Sequence, residues 1–213
     1  MKNPFENLSK YQVTKLYELL AVHIFKYNRN EEVLPTIRKD NIVGIILSGW
    51  VQIIDVDYNG NENIVEELPK NSVFGSNLSA TDSDNYQIIA KDDVQVLIID
   101  YDNLINPKNL KYSYYNTFIL NLFDIFNSKI SKKNDRIMIL EKKQIRERLL
   151  TYFEMQYKKS YTRNIYLPIS FKDLADYMAV NRSAMFRELK SLKEERIVEV
   201  KGNRVTLLYK WGF

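Results

Sequence analysis

Apolar positions recur along this chain with changing period, and each change marks a different kind of element. Residues 1–25 place Leu8, Leu16, Leu19 and Leu20 on one side of a helical lead-in. From about residue 27 to residue 100 the period shortens toward two, with turn residues at regular spacing. The run 42–47 is apolar enough for a buried strand, Ser48-Gly49 turns it, and 50–56 is expected as its partner. Asn59-Gly60-Asn61 supplies a hairpin turn whose residues tolerate positive φ. Residues 64–68 then return, and 88–90 with 94–99 close the set. Many short strands with such turns predict a sandwich or jelly roll.

After Pro107 the helical period returns, and residues 110–140 read as one long helix. Heptads place Asn116, Phe123, Ile130 and Ile137 at position a, and Ile119, Phe126, Lys133 and Leu140 at position d. Six of these eight are apolar, which predicts a two-stranded coiled-coil seam with Ile119, Phe123, Phe126, Ile130 and Ile137 as the dimer interface. Leu120, Leu122 and Ile125 add apolar surface for packing on the strand domain. A single amphipathic helix lying on its own domain is the other reading of this stretch. Residues 144–157 form a further helix with Ile145, Leu149, Leu150 and Phe153 inward, and residues 140–143 are the natural hinge. A linker or short strand over 161–167 is closed by Pro168.

The sharpest signal is SFKDLADYMAVNRSAMFRELKSLKEE, residues 170–195. Phe171, Leu174, Ala175 and Met178 follow the i, i+3, i+4, i+7 spacing of a helix face, and Ser170 with Asp173 matches a capping box. Ala179-Val180 makes a turn, and Asn181 caps a second helix that buries Ala184, Met185, Leu189 and Leu192. That helix leaves Arg182, Ser183, Phe186, Arg187 and Lys190 on other faces. Arginines near the start of such a helix suit bidentate reading of guanine in a major groove. Beyond it, residues 197–200 and 204–208 flank Lys201-Gly202-Asn203 as a hairpin, with Lys201, Asn203 and Arg204 near its tip as phosphate contacts.

Charge sharpens this picture. The net charge of +4 over 213 residues divides unevenly. Residues 1–140 hold 15 Lys and Arg against 18 Asp and Glu, whereas residues 141–213 hold 16 against 9. A basic C-terminal part points to a polyanion partner whose phosphates supply salt-dependent affinity. Cysteine is absent, which excludes disulfides and cysteine-held iron-sulfur clusters, and His23 is the only histidine. One histidine argues against an enzyme of the cupin type, whose metal needs several clustered ligands. No apolar run suits a membrane span and the N-terminus lacks a signal-peptide pattern, so a cytoplasmic location is expected.

LADYMAVNRSAMFRELKSLKEERIV resembles the helix-turn-helix signature of the Crp-Fnr family of bacterial transcription regulators, roughly DLAxxLGVxRExxSRxLxxLxxxGLI. The stretch ILSGWVQIIDVDYNGNENIVEEL with NSVFG is similar, more loosely, to the cyclic-nucleotide-binding domain that precedes it in that family. The resemblance implies base reading by Arg182, Ser183 and Arg187. Phe186 stands where a small residue is usual and can touch a thymine methyl. Lys190, Ser170, Lys172, Lys201 and Asn203 complete the expected DNA-binding set. Ala179 replaces the family's common turn glycine.

Family members that bind cyclic nucleotides carry F-G-E-L-A-L and then R-[ST]-A. Here the first segment reads FGSNLS at 74–79, and the second falls by ungapped alignment on Asp84-Asn85-Tyr86. Ser76 thus replaces the ribose-binding Glu, and Asp84 replaces the phosphate-binding Arg, so an aspartate would repel the phosphodiester. Phe74, Gly75, Ser76, Asn77, Asp84 and Tyr86 are the candidates for an effector pocket, with no useful affinity for cyclic AMP and no cofactor expected.

The expected fold is α+β. A sensory jelly roll with an N-terminal helix spans 1–109, a dimerisation helix 110–140, and a winged helix-turn-helix 141–213. The expected function is that of a homodimeric regulator reading a pseudo-palindromic site on double-stranded DNA, with RNA polymerase as a further partner implied by the family. An unidentified small effector, or a ligand-free role with the roll kept as scaffold, are the two alternatives for its control.

Overall fold

A computed structural model describes residues 2–33, 41–58, 60, 62–75 and 86–208. The chain divides into two compact units, Met1–Asn127 and Ser128–Phe213.

In the first unit, helix α1 (Lys10–Leu19) opens on a capping box in which Ser9 and Gln12 each accept the other's backbone N–H. Leu16 and Leu20 are fully buried, with Leu8 and Leu19 partly buried beside them. The helical lead-in stops there, short of residue 25. Ala21 takes φ 47, and His23 begins a strand. The strands are β1 (His23–Tyr27), β2 (Ile42–Ser48), β3 (Trp50–Val56), β4 (Glu62–Pro69), β5 (Val73–Gly75), β6 (Tyr86–Ala90) and β7 (Val94–Asp100). They make two antiparallel sheets, ordered β1-β7-β2-β5 and β4-β3-β6.

This order corrects the pairing expected around Ser48-Gly49. Strands β2 and β3 are consecutive but belong to different sheets, so the turn carries the chain from one layer to the other. Gly49 has φ +71, and a Cβ there would collide with the Asp93 carbonyl oxygen, so the crossing needs glycine. The β3–β4 hairpin forms as expected, with Val56 opposite Glu62 and Gly60 at φ +82; Asn59 and Asn61 lie outside the described residues.

Strand β2 reads as a continuous apolar run because both of its faces are covered. Ile42 and Ile46 face the other sheet, joining Phe74, Val96 and Ile98 against Val51, Ile53 and Leu68. Val43 and Ile45 face outward onto Leu16, Leu20, Phe118 and Leu122. Strand β7 alternates in the same way, with Leu97 and Ile99 on the outer face. Each fully buried side chain of this size contributes roughly 1.5–3 kcal/mol of transfer free energy.

Helix α2 (Tyr101–Leu104) and a 3-10 turn, Pro107–Lys111, lead into α3 (Ser113–Leu140). The long helix starts at Ser113, not residue 110, because Tyr112 is extended at the end of that turn. Within the first unit α3 buries Tyr115, Phe118, Leu122 and Ile125. Leu120, expected to pack on the strand domain, is instead 66% exposed, beside Phe123 at 61%.

The second unit contains α4 (Ile145–Ser160), β8 (Asn164–Tyr166), α5 (Phe171–Tyr177), α6 (Arg182–Glu194), β9 (Val198–Lys201) and β10 (Arg204–Leu207). Its sheet runs β8-β10-β9. Leu149 and Phe153 of α4, Leu174 of α5, and Met185, Leu189 and Leu192 of α6 close on Val205, Leu207 and Ile139 to form one core. Ala184, expected inside, is only partly buried. Gly202 (φ +57) and Asn203 make the two-residue turn between β9 and β10, with glycine at the first central position as a II′ hairpin needs. Among the described residues no helix is long and apolar enough to cross a membrane.

Candidate nucleic-acid interface

Local chemistry sets the two helices of residues 170–195. The Ser170 hydroxyl accepts from the Asp173 N–H at 3.2 Å and donates to the Asp173 carboxylate at 2.7 Å. The carboxylate therefore holds the hydroxyl, not the Ser170 backbone N–H, and only half of the expected capping box forms. Asn181 Oδ1 accepts from the N–H groups of Ser183 (3.0 Å) and Ala184 (3.3 Å), starting α6. Between the helices Ala179 sits at φ +51, the left-handed region where the family places glycine. An L-residue there costs about 1–2 kcal/mol, while glycine loosens the unfolded chain by about 0.4–1 kcal/mol. Ala179→Gly is accordingly expected to raise stability by about 0.5–1 kcal/mol. Thermal unfolding checks this, and a lowered midpoint would rule out backbone strain at the turn.

Two arginines hold the carbonyls on which α5 ends. Arg136 Nε donates to the Tyr177 carbonyl at 3.2 Å, and its guanidinium lies 5.6 Å from the Tyr177 ring centre. Arg148 Nη1 donates to the Met178 carbonyl at 2.8 Å, Nε to that of Lys142 at 2.8 Å, and Nη2 to that of Leu140 at 3.3 Å. One guanidinium thus joins the C-terminal carbonyls of α3 and α5, both at the negative ends of their helices. Arg146 bridges Glu188 and Glu195 of the α6 region, and Ser191 donates to Glu195 at 2.9 Å. The hydrogen bond from Arg146 holds the Glu195 carboxyl below its usual range, and Glu195 in turn raises the Arg146 guanidinium. Sequence reasoning missed all three arginines. Nothing in their spacing distinguishes them from solvated cations.

The exposed face of α6 carries Arg182, Ser183, Phe186, Arg187 and Lys190 together. Arg182 is paired with Asp176 at 2.9 Å, Lys190 faces Glu194 at 3.7 Å, and the Ser183 hydroxyl donates to Asn181 at 2.6 Å. Arg187 is exposed and, among the described residues, has no hydrogen-bond or ion-pair partner. Lys172 is exposed on α5. At the β9–β10 turn Lys201 pairs with Glu199 at 2.9 Å, which keeps the Glu199 carboxyl below its usual range. Asn203 is exposed, and its carbonyl accepts from the Leu167 N–H at 2.9 Å. Exposed ion pairs of this kind contribute about 0–1 kcal/mol, so phosphates can replace their carboxylates at little cost.

Along α3, Phe123, Ile130 and Ile137 are exposed, whereas Ile119 and Phe126 are partly buried against their own unit. Of the effector-pocket candidates, Phe74 is buried between the two sheets, Gly75 pairs with Val43 in β5, and Tyr86 is partly buried at the start of β6. Ser76, Asn77 and Asp84 fall in 76–85, outside the described residues.

Comparison with known proteins agrees with this layout. The family described as "Cyclic nucleotide-binding domain" matches residues 25–106, and "Crp-like helix-turn-helix domain" matches residues 144–210. No match is found among curated protein sequences. CprK in complex with OCPA shares the fold at a TM-score of 0.59 and 16% identity, over 91% of this chain and 89% of that one. A mutant of CooA from Carboxydothermus hydrogenoformans gives 0.54 and 18%, over 96% and 88%. With both domains matched in this order, the chain belongs to the Crp-Fnr family and is a DNA-binding transcription regulator.

Proposed function

We propose that the protein acts in the cytoplasm as a homodimer that reads a pseudo-palindromic DNA site. Residues 1–109 are the sensory part, 110–140 the dimerisation helix and 141–213 the reading domain. The observation that carries this is the exposed row Arg182, Ser183, Phe186, Arg187 and Lys190 on a helix presented by a turn. Arg187 is the residue best placed to take a guanine edge, since no carboxylate holds it back among the described residues. Ser170, Lys172, Lys201 and Asn203 are assigned to the sugar-phosphate backbone, which sets register without sequence information. The exposed Phe123, Ile130 and Ile137 support pairing through α3, so that two recognition helices meet half-sites about one DNA turn apart.

Selection of bound duplexes from a random pool tests this reading directly, because it returns half-site and spacing together. Arg187→Ala is expected to cost about 1–3 kcal/mol on the selected site and relax specificity at one base pair. Lys201→Ala is expected to weaken all sequences alike and flatten the salt slope. Equal losses on selected and random DNA for Arg187→Ala would remove its base-reading role.

The roll is proposed to answer to a small effector other than cyclic AMP, acting as a population shift between two dimer geometries. RNA polymerase is the partner through which such a shift would reach transcription. Calorimetry at moderate salt is expected to show no cyclic AMP binding at micromolar concentrations, given Ser76 and Asp84. A second reading, a ligand-independent regulator that keeps the roll as scaffold, is favoured by the burial of Phe74 within the core of the roll. A thermal-shift screen in which no metabolite stabilises the protein would support it.

A further inference from the structure

The reading face of α6 is less polar than its sequence suggests. The Ser183 hydroxyl is committed to Asn181 at 2.6 Å, on the same oxygen that takes two backbone N–H groups. Arg182 is turned back to Asp176 at 2.9 Å. What faces outward one turn later is an aromatic ring: Phe186 is 48% exposed. It does not stand alone. Phe171, at the first turn of α5, packs against it with ring centres 6.0 Å apart and planes at 51°. These two rings, with Leu189 and Val200 beside them and Lys190 and Lys193 at the edge, line an open recess of about 320 Å³. An apolar recess on a basic reading face is unexpected, because most of the surface of DNA is charged or polar.

We infer that the Phe171–Phe186 recess is a thymine reader, taking the C5 methyl group of one thymine in each half-site. Along the major groove the thymine methyl is the one apolar group that a base edge presents. A ring carried on the helix that enters that groove finds no other apolar partner there. Lys190 and Lys193 at the edge of the recess suit the phosphates on either side of the base. Phe171 acts as the supporting wall that fixes the Phe186 ring, so both residues determine specificity although only Phe186 lies on α6. Arg187, the next residue, reads guanine independently. The half-site therefore pairs a guanine contact with a methyl contact.

The inference rests on the DNA reading proposed above, and the test separates the two. With the full chain and the duplex selected from a random pool, each dT of a half-site is replaced in turn by dU, which removes only the methyl. One position is expected to lose about fourfold in affinity, the equilibrium ratio for leaving one methyl-sized group unburied. In Phe186→Ala that dT-to-dU difference disappears, and in Phe171→Ala it shrinks, while the guanine preference stays. With dC substituted for dT at the same position, 5-methyl-dC is expected to bind more tightly than unmethylated dC, restoring part of the wild-type affinity. A selected site indifferent to every dU, or a methyl effect unchanged in Phe186→Ala, overturns the thymine reader and leaves the DNA reading intact. A pool that enriches nothing overturns both.

Discussion

Replacing Phe123 and Ile130 together by aspartate is expected to yield a monomer whose affinity for a two-half-site duplex falls roughly a hundred- to ten-thousand-fold. The size follows from what pairing does. A second reading helix tethered to the first binds at the effective concentration of its linkage, and separation of the chains removes that gain without touching a DNA contact. Both side chains occupy position a of the α3 heptads and are 61% and 56% exposed, so the substitutions spare the core of either unit. In a paired α3 they would bring like charges together in an apolar seam, where their desolvation is unfavourable. Light scattering gives the mass, and anisotropy on duplexes with one and two half-sites gives the affinities. A variant that remains dimeric would exclude this seam as the interface. A monomer with undiminished affinity for the double site would remove the need for pairing.

Arg148→Met is expected to destabilise the second unit by about 1.5–3 kcal/mol, the usual worth of a hydrogen bond to a charged group. Methionine keeps an aliphatic stem but leaves the carbonyls of Leu140, Lys142 and Met178 without the guanidinium that serves all three. Against a total stability of about 5–15 kcal/mol that loss is large. Arg148→Lys is expected to recover little, since an ammonium cannot present a planar fork to three acceptors. The consequence for DNA reading is separate. Met178 directly precedes the Ala179 turn into α6, so loosening this clasp lets the recognition helix vary in direction. Urea unfolding followed by circular dichroism measures the first effect. The second appears as a broader tolerance of half-site spacing at temperatures where the variant is fully folded. An unchanged unfolding midpoint would show that the three hydrogen bonds are replaced by water without loss.

What the chain's own order of residues determined is the set of elements whose causes are local. Ser9, Ser170 and Asn181 each cap a helix through contacts two or three residues away, and all three helices begin there. Helical spacing picked out the inner faces of α4, α5 and α6, and the doubled burial of β2 and β7 made their runs conspicuous. The row on α6 was legible for the same reason: residues that share a face of a helix are fixed by its pitch. Folding alone decided the remainder. That β3 leaves β2 for the other sheet, with Gly49 passing too close to the Asp93 carbonyl for any Cβ, involves a segment far along the chain. Strand β1 gave a weak signal because only its partner β7 makes it a strand, and Ala21 ends α1 without a proline or glycine to mark the place. Arg148 meets Met178 across 30 residues and Arg146 meets Glu195 across 49. The meeting of Phe171 with Phe186 likewise emerges only once α5 and α6 are docked. Periodicity and capping are interactions within about one helical turn, so a linear reading reaches them, whereas pairing and side-chain clasps are set by which distant segments compete for the same space.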